Sequence, residues 1–156
     1  MDSKIWGKMA WDTFFIFSRN YPEKINLNNE EHKKIKNSTK KFYSSLKDIL
    51  PCMYCRESYK RFWKSVPIEP YLTGRDKLTL WLYTIKNLVN KKLIDQQNIE
   101  YKQNMEQLVI KDNATKSKIK KLDTIFYTKE SPSLQTVINK YEKFRTTVCN
   151  SKKCYK

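Results

Sequence analysis

The chain has 156 residues, 32 Lys/Arg against 16 Asp/Glu, a formal net charge of +16 and 39% hydrophobic residues. That is enough apolar material for one ordinary domain with an appendage. Only two glycines (Gly7 and Gly74) and five prolines occur, which argues against Gly-rich phosphate-binding loops and a turn-dense β-sandwich and favours long helices. No apolar run approaches the roughly 18 residues that a membrane span requires.

Residues 3–20 read as a helix, with Ile5, Trp6 or Met9, Phe14, Phe15 and Phe17 recurring at helical spacing and Pro22 closing the stretch. Asn29 is placed to cap a second helix, with Glu30 and Glu31 in its first turn and Ile35, Phe42, Leu46 and Ile49 on its inward side. Pro51 ends it, and a third helix is expected from about 52 to 65, stopped by Pro67 and Pro70. A fourth begins near Arg75, where Leu78, Trp81, Leu82, Ile85, Leu88 and Val89 form an apolar stripe. A shorter fifth fits residues 96–109.

After Ile110 the composition turns polar, and residues 111–123 read as a linker. Pro132 is placed to open a last helix carrying Leu134, Val137, Ile138, Tyr141 and Phe144. The reading is therefore an all-α domain over residues 1–110, followed by a basic linker and tail over 111–156 ending in a Cys-x4-Cys pair. Positive charge is spread along the chain: residues 1–90 hold 17 basic and 9 acidic side chains, residues 91–156 hold 15 and 7. Such spreading fits a solvated basic surface; nucleic acid or membrane contact is neither expected nor excluded.

The four cysteines form two close pairs, Cys52/Cys55 and Cys149/Cys154, too few for a disulfide scaffold. A Cys-x-x-Cys at the start of a helix has definite chemistry. The unpaired N–H groups and positive end of the helix stabilise a thiolate, and Arg56 and Lys60 add positive charge. Such a pair exchanges disulfides. It is also half of many zinc sites, the other half here being Cys149/Cys154 at the edge of the usual ligand spacing; the single histidine, His32, lies in a charged stretch. A basic helical module that binds zinc or nucleic acid is therefore the competing reading.

The surroundings of the motif carry a resemblance. Trp6-Gly7-x3-Trp11, Tyr21-Pro22, Leu50-Pro51-Cys52-x-x-Cys55, Arg75, Leu78, Trp81-Leu82 and Asn87-x-Val89-Asn90-Lys91-Lys92-Leu93 occur in that order. This set resembles the Erv/ALR family of FAD-linked sulfhydryl oxidases over about residues 3–105. The resemblance implies a four-helix bundle plus a short fifth helix, holding FAD without a Rossmann fold. It implies that Cys55 lies next to the flavin, that Cys52 exchanges with the incoming thiol, and that dioxygen is reduced to hydrogen peroxide. It assigns cofactor contacts to Gly7, Lys8, Trp11, Phe15, Lys86, Asn87, Asn90, Lys92 and Tyr101. Phe15 and Lys86 stand where the family carries histidines: Phe15 keeps a ring for stacking, and Lys86 offers a cation to the pyrophosphate. An FAD-less scaffold is the reading if those two losses abolish the cofactor.

The resemblance further implies thiol-bearing substrate proteins or a thioredoxin-like relay partner, and a homodimer formed through the first two helices. Cys149/Cys154 is then a shuttle pair on the tail. Short relatives occur in large cytoplasmic DNA viruses, so the expected location is the cytoplasm of an infected cell or the virion. No secretion signal is read at Met1-Asp2.

Overall fold

A computed structural model describes residues 3–108 and 131–148, all helix and connecting loop. The helices are α1 (Ser3–Arg19), α2 (Glu30–Ile49), α3 (Met53–Ser65), α4 (Arg75–Leu108) and α5 (Leu134–Val148), with a single 3-10 turn at Glu69–Tyr71. Of the described residues, those up to Lys86 and from Pro132 onward make one compact unit, and those from Asn87 to Ser131 make a second. No described helix is long and apolar enough to cross a membrane.

Local chemistry sets the helix ends. Asn29 has an extended backbone, and its side chain accepts the His32 N–H, so it caps α2 as its sequence position suggests. His32 in turn accepts the Asn26 N–H at 3.0 Å through Nδ1, so the histidine serves the loop before α2. α2 stops ahead of Pro51, whose missing N–H and fixed φ cannot continue it. Gly74 precedes α4 at a close backbone approach: a Cβ there would be driven into the carbonyl oxygen of Glu23. The Ile25 N–H to Thr73 carbonyl bond (2.9 Å) and the Arg75 N–H to Pro22 carbonyl bond (2.9 Å) hold the two strands of loop together at that point.

The core of the first unit is aromatic. Trp81 is fully buried, donates Nε1–H to the Val66 carbonyl at 2.9 Å, and meets Tyr43 and Trp63 edge to face at 5.3 and 5.7 Å. Tyr43 donates to the Phe14 carbonyl, and Tyr59 to the Tyr43 carbonyl, both at 2.9 Å, tying α1, α2 and α3 together. Burial pushes the phenols of Tyr43 and Tyr59 well above their ordinary range and raises Tyr21 to about 12, so all three stay neutral donors.

Several sequence expectations change. The fourth and fifth helices are one helix, because no Gly or Pro interrupts residues 75–108 and the polar residues between the two apolar stretches are acceptable helix formers. On α1 the inward face is Phe15, Ser18 and Arg19, while Ile5, Met9 and Phe17 are exposed; Ile49 of α2 is exposed too. The last helix packs on α1 in the first unit: Val137 and Tyr141 are buried there, and Phe144 is half exposed.

The α1–α5 contact is densely paired. Phe15 and Tyr141 stack with centroids 4.9 Å apart and planes 13° from parallel. Asp12 accepts from Tyr141 at 2.5 Å and from Lys140 at 2.8 Å. Arg19, almost wholly buried, donates twice to Glu142 (2.9 and 2.6 Å) and once to Asp76 on α4 (2.6 Å).

Candidate active site

Cys52 is the N-cap of α3, with extended backbone angles (φ −98°, ψ 124°). Its sulfur accepts the Cys55 N–H at 3.3 Å, the role a Ser or Asp oxygen usually plays, and its carbonyl accepts from Cys55 and Arg56 N–H at 3.0 Å each. The positive end of the helix therefore points at this sulfur, which favours negative charge on it. Arg56 folds back and donates to the Leu50 carbonyl at 2.6 Å, adding a guanidinium beside the turn.

Both sulfur-bearing residues are half-buried. Cys55 lies three and four residues before Ser58 and Tyr59, both buried, so it shares the inward face of α3. Cys52 lies outside the first turn, and the two residues between them, Met53 and Tyr54, are 57% and 73% exposed. Cys55 therefore faces the bundle, and Cys52 stands one turn before it at the N-terminal end of the helix.

The residues assigned to a cofactor fall in both compact units. In the first, Trp11 lies 6.3 Å from Phe15 between centroids, and the Lys86 ammonium sits 5.9 Å from the centre of the Trp11 ring. Lys86 is half-buried. Burial pushes its ammonium below the ordinary lysine range, Lys140 adds to this by repulsion, and Asp12 opposes both. Phe15 is fully buried, and one of its faces is taken by Tyr141. Gly7 has open space around it, and Lys8 is an exposed partner of Asp12 at 3.6 Å. The Trp6 indole N–H is buried without a hydrogen-bond partner among the described residues.

In the second unit the Asn87 side-chain oxygen is buried with no hydrogen-bond partner among the described residues, and Asn90 donates to the Ser131 hydroxyl at 2.5 Å. Lys92 and Tyr101 are half-buried. Cys149 and Cys154 lie outside the described residues. Among the described residues no group of three or more His, Cys, Asp or Glu side chains is placed to hold a metal ion.

Sequence reasoning missed Asp12, Lys140 and Tyr141, which gather beside Trp11, Phe15 and Lys86. The apolar stripe of α5 marks Tyr141 as inward-facing, but no local signal names α1 as the surface it covers.

A family model described as the Erv1/Alr family matches residues 8–118. The chain is 30% identical over 91 residues to a protein of Acanthamoeba polyphaga mimivirus named "Probable FAD-linked sulfhydryl oxidase R368". That match takes in 58% of this chain and 59% of the relative, so the chain spans less than two thirds of its length. The crystal structure of the yeast Erv1 core aligns with a TM-score of 0.51 and 24% identity, over 60% of this chain and 72% of that one, a likeness of fold. The family match ends ahead of α5.

Proposed function

Since the chain belongs to the Erv1/Alr family, we propose that it is an FAD-linked thiol oxidase that forms disulfides in substrate polypeptides and passes the electrons to dioxygen. The observation that carries this reading is the geometry at the start of α3: Cys52 caps the helix, its sulfur accepts the Cys55 N–H, and Cys55 shares the face of buried Ser58 and Tyr59. A substrate thiolate attacks Cys52 Sγ of the oxidised pair. The Cys52–Cys55 bond breaks, and its electron pair leaves on Cys55. The second substrate thiolate then attacks its own sulfur in the mixed disulfide, releasing Cys52 as a thiolate. Two electrons and two protons have left the substrate, and its disulfide has formed.

FAD, named in the mimivirus relative, supplies the two-electron acceptor and the route to dioxygen when bound. The donor set suits a flavin dinucleotide. Among the described residues, Asn87 holds a buried acceptor with no hydrogen-bond partner, and Trp6 a buried donor with none. Lys86 brings a half-buried cation against an indole face, where a phosphate is electrostatically welcome. In the first unit Lys86 would hold phosphate groups and Trp11 would offer its ring; in the second, Asn87 is the candidate for a polar group.

Two further parts of the reading concern assembly. Ile5, Met9 and Phe17 leave an apolar face of α1 exposed, which suits a second copy of the chain and a non-covalent homodimer. Cys149 and Cys154 are proposed to relay electrons from substrate to Cys52/Cys55.

The test is a visible spectrum of the purified protein before and after dithiothreitol under air. The expected result is a flavin band that bleaches and recovers as oxygen is consumed. Cys52→Ser and Cys55→Ser should each abolish turnover and keep the flavin. Thiol oxidation retained by both variants would overturn the scheme, as would a folded protein that takes up no flavin.

A further inference from the structure

Three large apolar side chains that flank the cysteine pair in sequence are exposed. Ile49, at the end of α2, is 64% exposed; Met53 and Tyr54, in the first turn of α3, are 57% and 73% exposed. Three such residues within five positions of Cys52 make a patch, not a scatter. The outer face of α3 continues from it. Glu57, Lys60, Arg61 and Lys64 are exposed and fall at helical spacing from one another, while Ser58 and Tyr59 are buried on the opposite side. Glu57 is the only acid on α3, and Lys60 holds it at 2.9 Å. Over the ten or so residues of the helix, about 15 Å, the surface passes from apolar beside the sulfur to positive at the far end.

We propose that this strip is the substrate-docking surface, and that it selects an acidic polypeptide segment with an apolar side chain next to the attacking cysteine. The proposal rests on Cys52/Cys55 being the redox pair described above. The apolar neighbour covers Met53 and Tyr54, and carboxylates about five extended residues further along reach Arg61 and Lys64. The exchange chemistry is unchanged: the substrate sulfur bonds to Cys52, the Cys52–Cys55 bond breaks, and the electron pair goes to Cys55.

The experiment uses the full-length protein with the pair oxidised, under anaerobic conditions. Reduction is followed by rapid quenching and alkylation mapped to Cys52 and Cys55. Two synthetic peptides share one dithiol core with an adjacent leucine and differ only in carrying glutamates or lysines further on; dithiothreitol is the third reductant. At low ionic strength the acidic peptide should reduce the pair about tenfold faster than the basic one, and the ratio should fall toward one as salt is raised. Combining Lys60→Glu, Arg61→Glu and Lys64→Glu should invert the ratio. Met53→Ser with Tyr54→Ser should slow both peptides and leave their ratio unchanged. Equal rates for the two peptides, or a preference that survives charge reversal, would overturn the docking proposal while the redox reading stands. A pair that no dithiol reduces would overturn both.

Discussion

Glu142 and Asp76 both accept from the Arg19 guanidinium, at 2.6 Å each at their shortest, yet their loss should cost very different amounts. The Arg19 side chain is 7% exposed, Glu142 29% and Asp76 77%. Glu142 takes two of the guanidinium's hydrogens and Asp76 one. In Asp76→Asn, water reaches the vacated position, so the change resembles the loss of a surface pair, under about 1 kcal/mol. In Glu142→Gln, the two charge-assisted bonds to buried Arg19 lose their ionic partner, and the third bond, from the more exposed Arg145, adds little to the cost. At about 1.5–3 kcal/mol for such bonds at full strength, weakening both costs about 2 kcal/mol. Urea unfolding followed by tryptophan fluorescence reads the difference. With a slope of about 2 kcal/mol/M, the Glu142→Gln midpoint should fall by about 1 M, and the Asp76→Asn midpoint by less than half of that. Equal shifts, or a larger shift for Asp76→Asn, would refute the argument that burial of the guanidinium sets the cost.

Other outcomes follow from the same geometry. Burial alone would raise the Asp12 and Glu142 carboxyls. The hydrogen bonds from Lys140 and Tyr141 to Asp12, and from Arg19 and Arg145 to Glu142, outweigh it, and both end below the ordinary range. Carboxyls depressed in the folded state give stability that is full above their unfolded values near about 4 and lost as pH falls through the folded ones. The α1–α5 contact should therefore loosen below about pH 4, seen as loss of near-UV dichroism, and a signal flat to pH 2 would contradict this. Gly74→Ala forces a Cβ into the Glu23 backbone and should cost about 1–3 kcal/mol, whereas Gly7→Ala meets open space within a helix and should gain about 0.5–1 kcal/mol. Melting temperatures of opposite sign would confirm the pair. Asn87→Leu removes a buried unpaired acceptor, so the flavin-free protein should melt no lower while flavin affinity drops about tenfold by titration, at 1.4 kcal/mol per decade. Unchanged affinity would remove Asn87 from the cofactor site.

How much was legible in the sequence depended on the range of the signal. Asn29, Pro22, Pro51 and the cysteine spacing act within a few residues, and the ends of α1, α2 and α3 lie where those signals put them. The continuity of α4 was hidden because Asn90, Lys91 and Lys92 interrupt the apolar stripe, although they are compatible with a helix backbone. The exposure of Ile5, Met9, Phe17 and Ile49 was hidden because periodicity shows that a face is apolar without showing what lies opposite. The docking of α5 was the least legible. It rests on pairs such as Asp12 with Tyr141 and Arg19 with Glu142, separated by 129 and 123 positions, with no local trace of the partner. Asn87 was found through the resemblance, and its partnerless oxygen is a structural finding.

The pairing of the first helix with the last has a consequence for how the chain is made. Synthesis is vectorial, so α1 leaves the ribosome first, and the Phe15 and Arg19 positions wait for residues 134–148. At about 5–20 residues per second, that wait is on the order of 6–25 s. During it, an aromatic ring and a guanidinium destined for burial stand in water, and α2 to α4 must assemble around an incomplete α1. The closing contact is also the most non-local in the first unit, so it carries the largest loop-closure entropy and should form late. Emergence of residues 134–148, not of α2 to α4, is then the moment at which α1 acquires this neighbour.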